Sequence, residues 1–288
     1  MKAENYIEIN KQAWNNQVPV HLDSDFYDMQ TFIRGKNSLP QIDIDLLGDI
    51  KGKSILHLQC HFGQDSLSMA RMGAKVTGVD LSDKAIEKAQ ELSKQLNLEA
   101  TFFCCDVYDT LEHITEQFDI VYISYGTISW LPNLDKWANI IAKALKPNGK
   151  FVFVEFHPVV WVFDDNFTKI QHHYHNEKAI IEEYTGTYAD KEADIKTDYI
   201  GWNHSLAEVF QGLLKNGLQI EQFNEYDYSN YNCFSETVEF EPGKFRIKHL
   251  ENKIPIDTKI KNWPEPLKVL MYNILMNAIK STEKGIIS

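Results

Sequence analysis

Between Ser54 and Glu155, short apolar runs alternate with amphipathic stretches, and this pattern predicts a layered α/β core. The runs Ser54–Leu58, Lys75–Val79, Ala100–Cys104, Phe118–Ile123 and Lys150–Glu155 read as buried strands. A helix from Gln64 to Met72 is stopped by Gly73. Ser82 is a good N-cap for the next helix, whose Ala85, Ile86, Ala89, Leu92 and Leu96 share one face. A third helix, Leu134 to Leu145, closes on the turn signal Pro147-Asn148-Gly149. Alternation with short connections implies a parallel sheet with right-handed crossovers.

The flanks are less regular. A helix is expected over Tyr6–Asn15, then an irregular segment with Pro19, Gly35 and Pro40 that carries many aromatic residues. After His157-Pro158 the helical period disappears until Gly201. The runs Lys169–His175 and Ala179–Tyr188, separated by Asn176-Glu177-Lys178, predict a hairpin. Regular structure resumes with a helix over Ser205–Asn216, closed by Gly217, and a strand over Gln219–Tyr226. A polar stretch, Tyr228–Pro266, precedes an apolar run, Leu267–Ile279, long enough for a last strand. A single domain is expected, with a cap (1–50), a core (51–158), an insertion (159–204) and a C-terminal part (205–288) that completes the sheet.

Composition narrows the class of partner. The chain has 288 residues, 43% hydrophobic and 24% charged, as ordinary globular proteins do. Its net charge of −12, with no local basic run, argues against nucleic acid. No apolar run approaches bilayer-spanning length, and the first ten residues lack the apolar core of a secretory signal. Cys60, Cys104, Cys105 and Cys233 form no Cys-x-x-Cys pair, which suits reduced thiols in a cytoplasm. His172, His173 and His175 lie close in sequence, but on a strand only His173 and His175 share a face, so no metal site is assigned.

The candidate chemistry sits at the strand ends. The first strand runs into Gln59-Cys60-His61-Phe62-Gly63, and the second ends on Asp80. A strand, tight turn, helix and acid-tipped strand build a nucleoside crevice in open α/β sheets, with the acid accepting hydrogen bonds from ribose hydroxyls. Only Gly63 stands where dinucleotide-binding turns carry two or three glycines for close approach to pyrophosphate. A cofactor without phosphates, S-adenosylmethionine, fits that loop better.

On these residues, with Phe118-Asp119-Ile120-Val121 and Leu145-Lys146-Pro147-Asn148-Gly149-Lys150, the sequence resembles the class I S-adenosylmethionine-dependent methyltransferases. The resemblance is strong from about Lys51 to His157 and looser after Ser205. It implies a doubly wound, mostly parallel, seven-stranded Rossmann-like sheet whose last strand is antiparallel, here with an N-terminal helical cap and a hairpin-like insertion. By the same resemblance, Gln59, Cys60, His61 and Gly63 lie along the methionine part of the cofactor, and Asp80 binds the ribose. Leu81 packs on the adenine, Asp106 bonds its amino group with Val107 beside it, and Ser124 and Tyr125 line methionine and substrate.

Methyl transfer from a sulfonium is an in-line displacement, catalysed chiefly by positioning. A base is needed only for an acceptor that is protonated at working pH. His61, His157 and Glu155 are the candidate bases. Trp14, His21, Phe26, Tyr27 and His204 are candidate substrate or lid residues, the N-terminal aromatic residues closing over the site. The function expected is methyl transfer to a small-molecule acceptor. A nicotinamide-dependent oxidoreductase and a non-catalytic cofactor-binding module stand as alternatives.

Overall fold

The computed structural model describes residues 3–248. Chain order gives α1 (Tyr6–Asp23), α2 (Met29–Ile33), α3 (Gln41–Leu47), β1 (Ser54–Leu58), α4 (Gln64–Arg71), β2 (Lys75–Asp80), α5 (Asp83–Leu96) and β3 (Ala100–Cys104). There follow α6 (Thr110–His113), β4 (Phe118–Ser124), α7 (Leu134–Ala144), β5 (Leu145–Val154), β6 (Ile180–Thr185), β7 (Lys196–Gly201), α8 (Leu206–Lys215), β8 (Thr237–Glu241) and β9 (Lys244–Ile247).

The central sheet has five strands in the order β3-β2-β1-β4-β5. Every neighbouring pair is parallel. The order reverses beside β1, where open α/β sheets place their ligand crevice. Strand alternation sends side chains to both layers. Ile55, Ile120 and Tyr122 pack with Leu47 of α3 and Met69 of α4. Leu56, Leu58, Val121 and Ile123 pack on the other face with Trp137 and Ile141 of α7 and Val209 and Leu213 of α8. Ser82 caps α5 by accepting from the Ala85 N–H at 3.1 Å, as its position suggests.

Helix α1 runs past Asn15 and through Pro19 to Asp23, longer than expected. Its buried face includes Asn10, Gln17 and His21, polar side chains that hide the helical period from a hydropathy reading. Two polar side chains of this helix bind neighbouring elements directly. Asn10 clamps the Ile200 backbone of β7, donating to its carbonyl at 2.8 Å and accepting from its N–H at 2.9 Å. Asn15 accepts from the Ser82 hydroxyl at 2.6 Å and donates to Asp83 at 2.9 Å. The cap is thereby tied to both the insertion and the turn after β2. The segment expected to be irregular also holds α2 and α3.

The hairpin of the insertion forms with a different partner from the one expected. β6 pairs antiparallel with β7, while Lys169–His175 contributes only an isolated bridge from Ile170 to Phe163. The reversal is made at Gly186, at φ +76°, and Thr187, whose hydroxyl accepts from the N–H groups of Ala189 and Asp190. Asn176-Glu177-Lys178 is therefore not the turn. β5 begins at Leu145, opposite Phe118, and the Pro147-Asn148-Gly149 signal appears as a register shift with Asn148 at φ +62°.

Gln219–Tyr226 forms no strand. Its apolar residues Ile220, Phe223 and Tyr226 recur every third position, which gives no single sheet face, and all three are exposed. The expected strand at Leu267–Ile279 lies outside the described residues. Among the described residues the central sheet thus has five strands where seven were expected. β8 and β9 form a separate hairpin across Pro242-Gly243.

One glycine inside the sheet shapes the site. A Cβ on Gly78 of β2 would fall 2.6 Å from the Phe102 ring and 2.8 Å from Cys60 Sγ. The missing side chain lets the turn after β1 settle against β2 and β3. Gly78→Ala should lower stability by about 1–3 kcal/mol through overpacking. Denaturant unfolding would measure it; an unchanged midpoint would show that the neighbours yield freely.

Candidate active site

The carboxyl ends of β1, β2 and β4 open into a cavity of about 510 Å³. α1, the segment Phe26–Asp28 and the insertion line the opposite side. The turn after β1 has an unusual backbone. Gln59, His61 and Gly63 all sit in the left-handed region, at φ +55°, +50° and +75°. Non-glycine residues held there cost about 1–3 kcal/mol each. Side-chain and backbone bonds offset that cost here. Gln59 Nε2 donates to the Thr127 carbonyl at 2.9 Å, and the His61 N–H donates to Asp80 at 2.8 Å. The loop thus keeps a glycine-type shape with two large side chains in it.

Asp80 is the hinge of this arrangement. One carboxylate oxygen accepts from His61 N–H, and the other accepts from Ser82 N–H at 2.8 Å. Burial nevertheless pushes its pKa up to about 6, against the lowering effect of these bonds. Asp106 follows β3 and accepts from the Tyr108 N–H at 2.9 Å. Burial raises its pKa too, with Asp109 adding to the effect. Gln59, Cys60, His61, Asp80, Leu81, Asp106, Val107, Ser124 and Tyr125 all line the cavity, and Gly63 caps α4 at its edge. Gln59 Oε1 is buried there with no partner among the described residues.

A histidine of α1 meets one of the turn after β1. His61 Nε2 and His21 Nδ1 lie 2.9 Å apart, one ring donating to the other. Burial drives both pKa values down, that of His21 to about 3. Both rings are therefore neutral near pH 7. The pair fastens α1 to the turn after β1, and Trp14 packs edge-on against His61 with ring centres 5.2 Å apart. Trp14, Phe26 and Tyr27 line the cavity, whereas His21 stands behind it.

The other two candidate bases, and the substrate candidate His204, are placed differently. Glu155 is turned into the loop after β4. Its oxygens accept from the N–H groups of Gly126, Thr127, Ile128 and Phe156. That carboxylate positions a loop and does not line the cavity. His157 lies outside as well, 2.8 Å from Glu225 and accepting from Val159 N–H. His204 is buried beneath the insertion, with Nε2 2.8 Å from the Leu131 carbonyl and Nδ1 3.0 Å from Glu208. Burial at the ends of β5 and β7, where loops need partners for their N–H and C=O groups, accounts for Glu155 and His204, while the half-exposed His157 is held by its contact with Glu225. The histidine trio is divided, His172 pairing with Glu182 at 3.1 Å and His173 with Glu177 at 3.4 Å.

Several lining residues were not singled out from the sequence: Asp65, Trp130, Tyr188, Tyr199 and Tyr231. Asp65 had a local signal, two residues past the turn glycine. The rest come from segments whose tertiary position has no sequence pattern.

Comparison with known proteins gives a match of residues 55–149 to the family described as a methyltransferase domain. A Haemophilus influenzae protein named only "uncharacterized protein" is 25% identical over 73% of this chain and 87% of its own length. An uncharacterized methyltransferase of Synechocystis is 28% identical over 46% of the chain. A ubiquinone biosynthesis O-methyltransferase of Coxiella burnetii is 32% identical over 36%. The chain spans 60% and 44% of the lengths of those last two relatives. An S-adenosylmethionine-dependent methyltransferase structure from Mesorhizobium loti aligns with a TM-score of 0.46 at 17% identity, covering 70% of this chain and 88% of that one.

The raised Asp80 pKa has a stability consequence. Its folded value of about 6 exceeds the ordinary 3.8, so the native state holds a proton that the unfolded state has released. That contribution is present below about pH 4 and is lost as pH rises through 6. Relative to wild type, Asp80→Asn should therefore gain melting temperature steadily between pH 4 and pH 7. A pH-independent difference between the two melting curves would contradict the burial argument.

Proposed function

We propose, from the premise that residues 55–149 are a class I S-adenosylmethionine-dependent methyltransferase domain, that this enzyme methylates a small-molecule acceptor by in-line displacement. The observation that carries the reading is the placement of Asp80. It is a buried carboxylate at the end of the strand beside the reversal point of the sheet, facing a cavity large enough for two small molecules. In this reading Asp80 takes the ribose hydroxyls and Asp106 the adenine amino group, with Leu81 and Val107 against the base. Gln59 and the neighbouring backbone of Cys60, His61 and Gly63 follow the methionine part. The unpartnered Gln59 Oε1 is free to accept a hydrogen bond from the cofactor tail.

The cofactor supplies an activated methyl group; what this chain contributes is enclosure and alignment. α1 and the β6–β7 hairpin, linked through Asn10, cover the cavity and exclude water. Ser124 and Tyr125, at the end of β4, are placed to set the acceptor against the methyl carbon. Tyr125 is fixed by donating its hydroxyl to Asp43 at 2.8 Å. An enclosed, oriented pair of reactants is the main requirement of such a displacement. Small-molecule chemistry is supported by the aromatic lining of the cavity and by the names of relatives such as the ubiquinone biosynthesis O-methyltransferase. Among the described residues no helix is long and apolar enough to cross a membrane.

Removing either acid should weaken cofactor binding. A hydrogen bond to a charged group contributes about 1.5–3 kcal/mol, so Asp80→Ala should raise the Kd for S-adenosylhomocysteine roughly 10- to 100-fold. Asp106→Ala should cost less, its bond being to an amine at the cavity rim. Titration calorimetry measures both. Unchanged affinity in Asp80→Ala would refute the placement, and incubation with methyl-labelled cofactor and metabolite extract tests turnover itself.

A further inference from the structure

Methyl transfer as read above leaves the acceptor chemistry open, and one part of the cavity speaks to it. Asp65, in the first turn of α4, lines the cavity with a single side-chain partner, the Ser38 hydroxyl at 2.5 Å. It forms no ion pair with any described lysine or arginine. Five aromatic residues from four separate stretches of chain line the same cavity: Phe26 and Tyr27, Tyr125, Tyr188, and Tyr231; the side chain of Gln64, next to Asp65, donates to the Tyr27 carbonyl at 2.6 Å. They hold one another in a continuous wall. Phe26 stacks on Tyr231 at 5.4 Å, Tyr231 meets Tyr125 edge-on at 4.9 Å, and Phe26 meets Tyr188 at 5.4 Å. The hydroxyls of Tyr27 and Tyr188 bond each other, and that of Tyr125 serves Asp43. Those three phenols have committed their polar ends, so ring surface is what they offer a ligand.

Asp65 is near these rings electrostatically as well. Burial first, and then neighbouring charges that include Asp65, oppose ionisation of Tyr27, Tyr125, Tyr188 and Tyr231. The rest of the lining excludes an anion-binding role. Lys36 is the one lysine or arginine among the described lining residues, and it is already paired with Asp28 at 3.1 Å. Of the lining histidines, burial keeps His57 and His61 uncharged and His172 is paired with Glu182 at 3.1 Å, so among the described residues the lining offers no unpaired cation to a carboxylate or phosphate acceptor. Aromatic rings around a carboxylate are, in contrast, what binds an ammonium group.

We propose that the acceptor is a small amine whose nitrogen is received by Asp65 inside the box of Phe26, Tyr27, Tyr125, Tyr188 and Tyr231. This rests on the methyl-transfer reading. The ammonium form enters and gives one proton to water by way of the Asp65 carboxylate. The freed nitrogen lone pair then forms the N–C bond while the C–S bond breaks, its electron pair passing to sulfur. The products are the neutral thioether S-adenosylhomocysteine and a methylated ammonium. The positive charge moves from sulfur to nitrogen, toward Asp65 and the rings. Burial pushes the Asp65 pKa up to about 6, which keeps it ionised at neutral pH yet close enough to exchange a proton.

The test is a binding titration on the full chain saturated with S-adenosylhomocysteine, followed by intrinsic fluorescence. The probes are benzyltrimethylammonium and phenylacetate, a cation and an anion of similar size. Wild type should bind the cation and not the anion. Asp65→Asn and Tyr231→Leu should each weaken the cation about tenfold or more, while S-adenosylhomocysteine affinity stays within about twofold. Thermal melts establish that each variant folds, and the Tyr231 variant carries the test if Asp65→Asn does not. The proposal is overturned if wild type ignores the cation or binds phenylacetate equally well. It is overturned too if Asp65→Asn loses S-adenosylhomocysteine instead, which would assign that carboxylate to the cofactor tail. Failure of wild type to bind S-adenosylhomocysteine would refute the methyl-transfer reading, and cation binding without it can be read separately.

Discussion

A single carboxylate bridges the two pieces of backbone on which this site is built. Asp80 accepts one N–H from the turn after β1 and another from the turn into α5, so its two oxygens join neighbouring loops at the edge of the crevice. The first bond holds His61 in a left-handed conformation that its side chain disfavours. Through His61 the same bond reaches His21 and the cap helix. Local strain, loop shape and cap position are therefore coupled at one residue. A ligand that takes the free lone pairs of Asp80 would act on all three.

Enclosure follows from polar residues placed where a helix would ordinarily be apolar. Asn10 fixes α1 to β7, Asn15 fixes it to the start of α5, and His21 fixes it to the turn after β1. Each is buried and bonded to a specific partner, which makes the cap directional rather than merely adhesive. The insertion is thereby carried over the cavity with α1. Its aromatic residues complete a chamber that the parallel sheet alone could not close.

The core was legible because both of its signals are local. β1 and β3 fall where the apolar runs place them, and β2 and β4 run one residue longer. Ser82 caps α5 for a reason visible in its own side chain. That Asp80 and Asp106 would line one crevice was legible for a similar reason, since they stand at and just after strand ends. What was not legible depends on tertiary contacts. The polar stripe of α1 looked like the end of a helix, and Lys169–His175 looked like the partner of β6. Glu155 looked like a free acid at a strand end, yet four backbone N–H groups surround it. Gln59 and His61 hid the loop type, because glycine is the usual mark of left-handed backbone and here hydrogen bonds do its work.

The most direct test is a crystal structure of the full chain with S-adenosylhomocysteine. The account predicts ribose hydroxyls within hydrogen-bonding distance of Asp80 and the adenine amino group at Asp106. It predicts also that Gln59, His61 and Gly63 keep positive φ around the thioether arm. A nucleoside bound away from the end of β2, or a loop that relaxes to negative φ at His61 when the ligand is present, would contradict it.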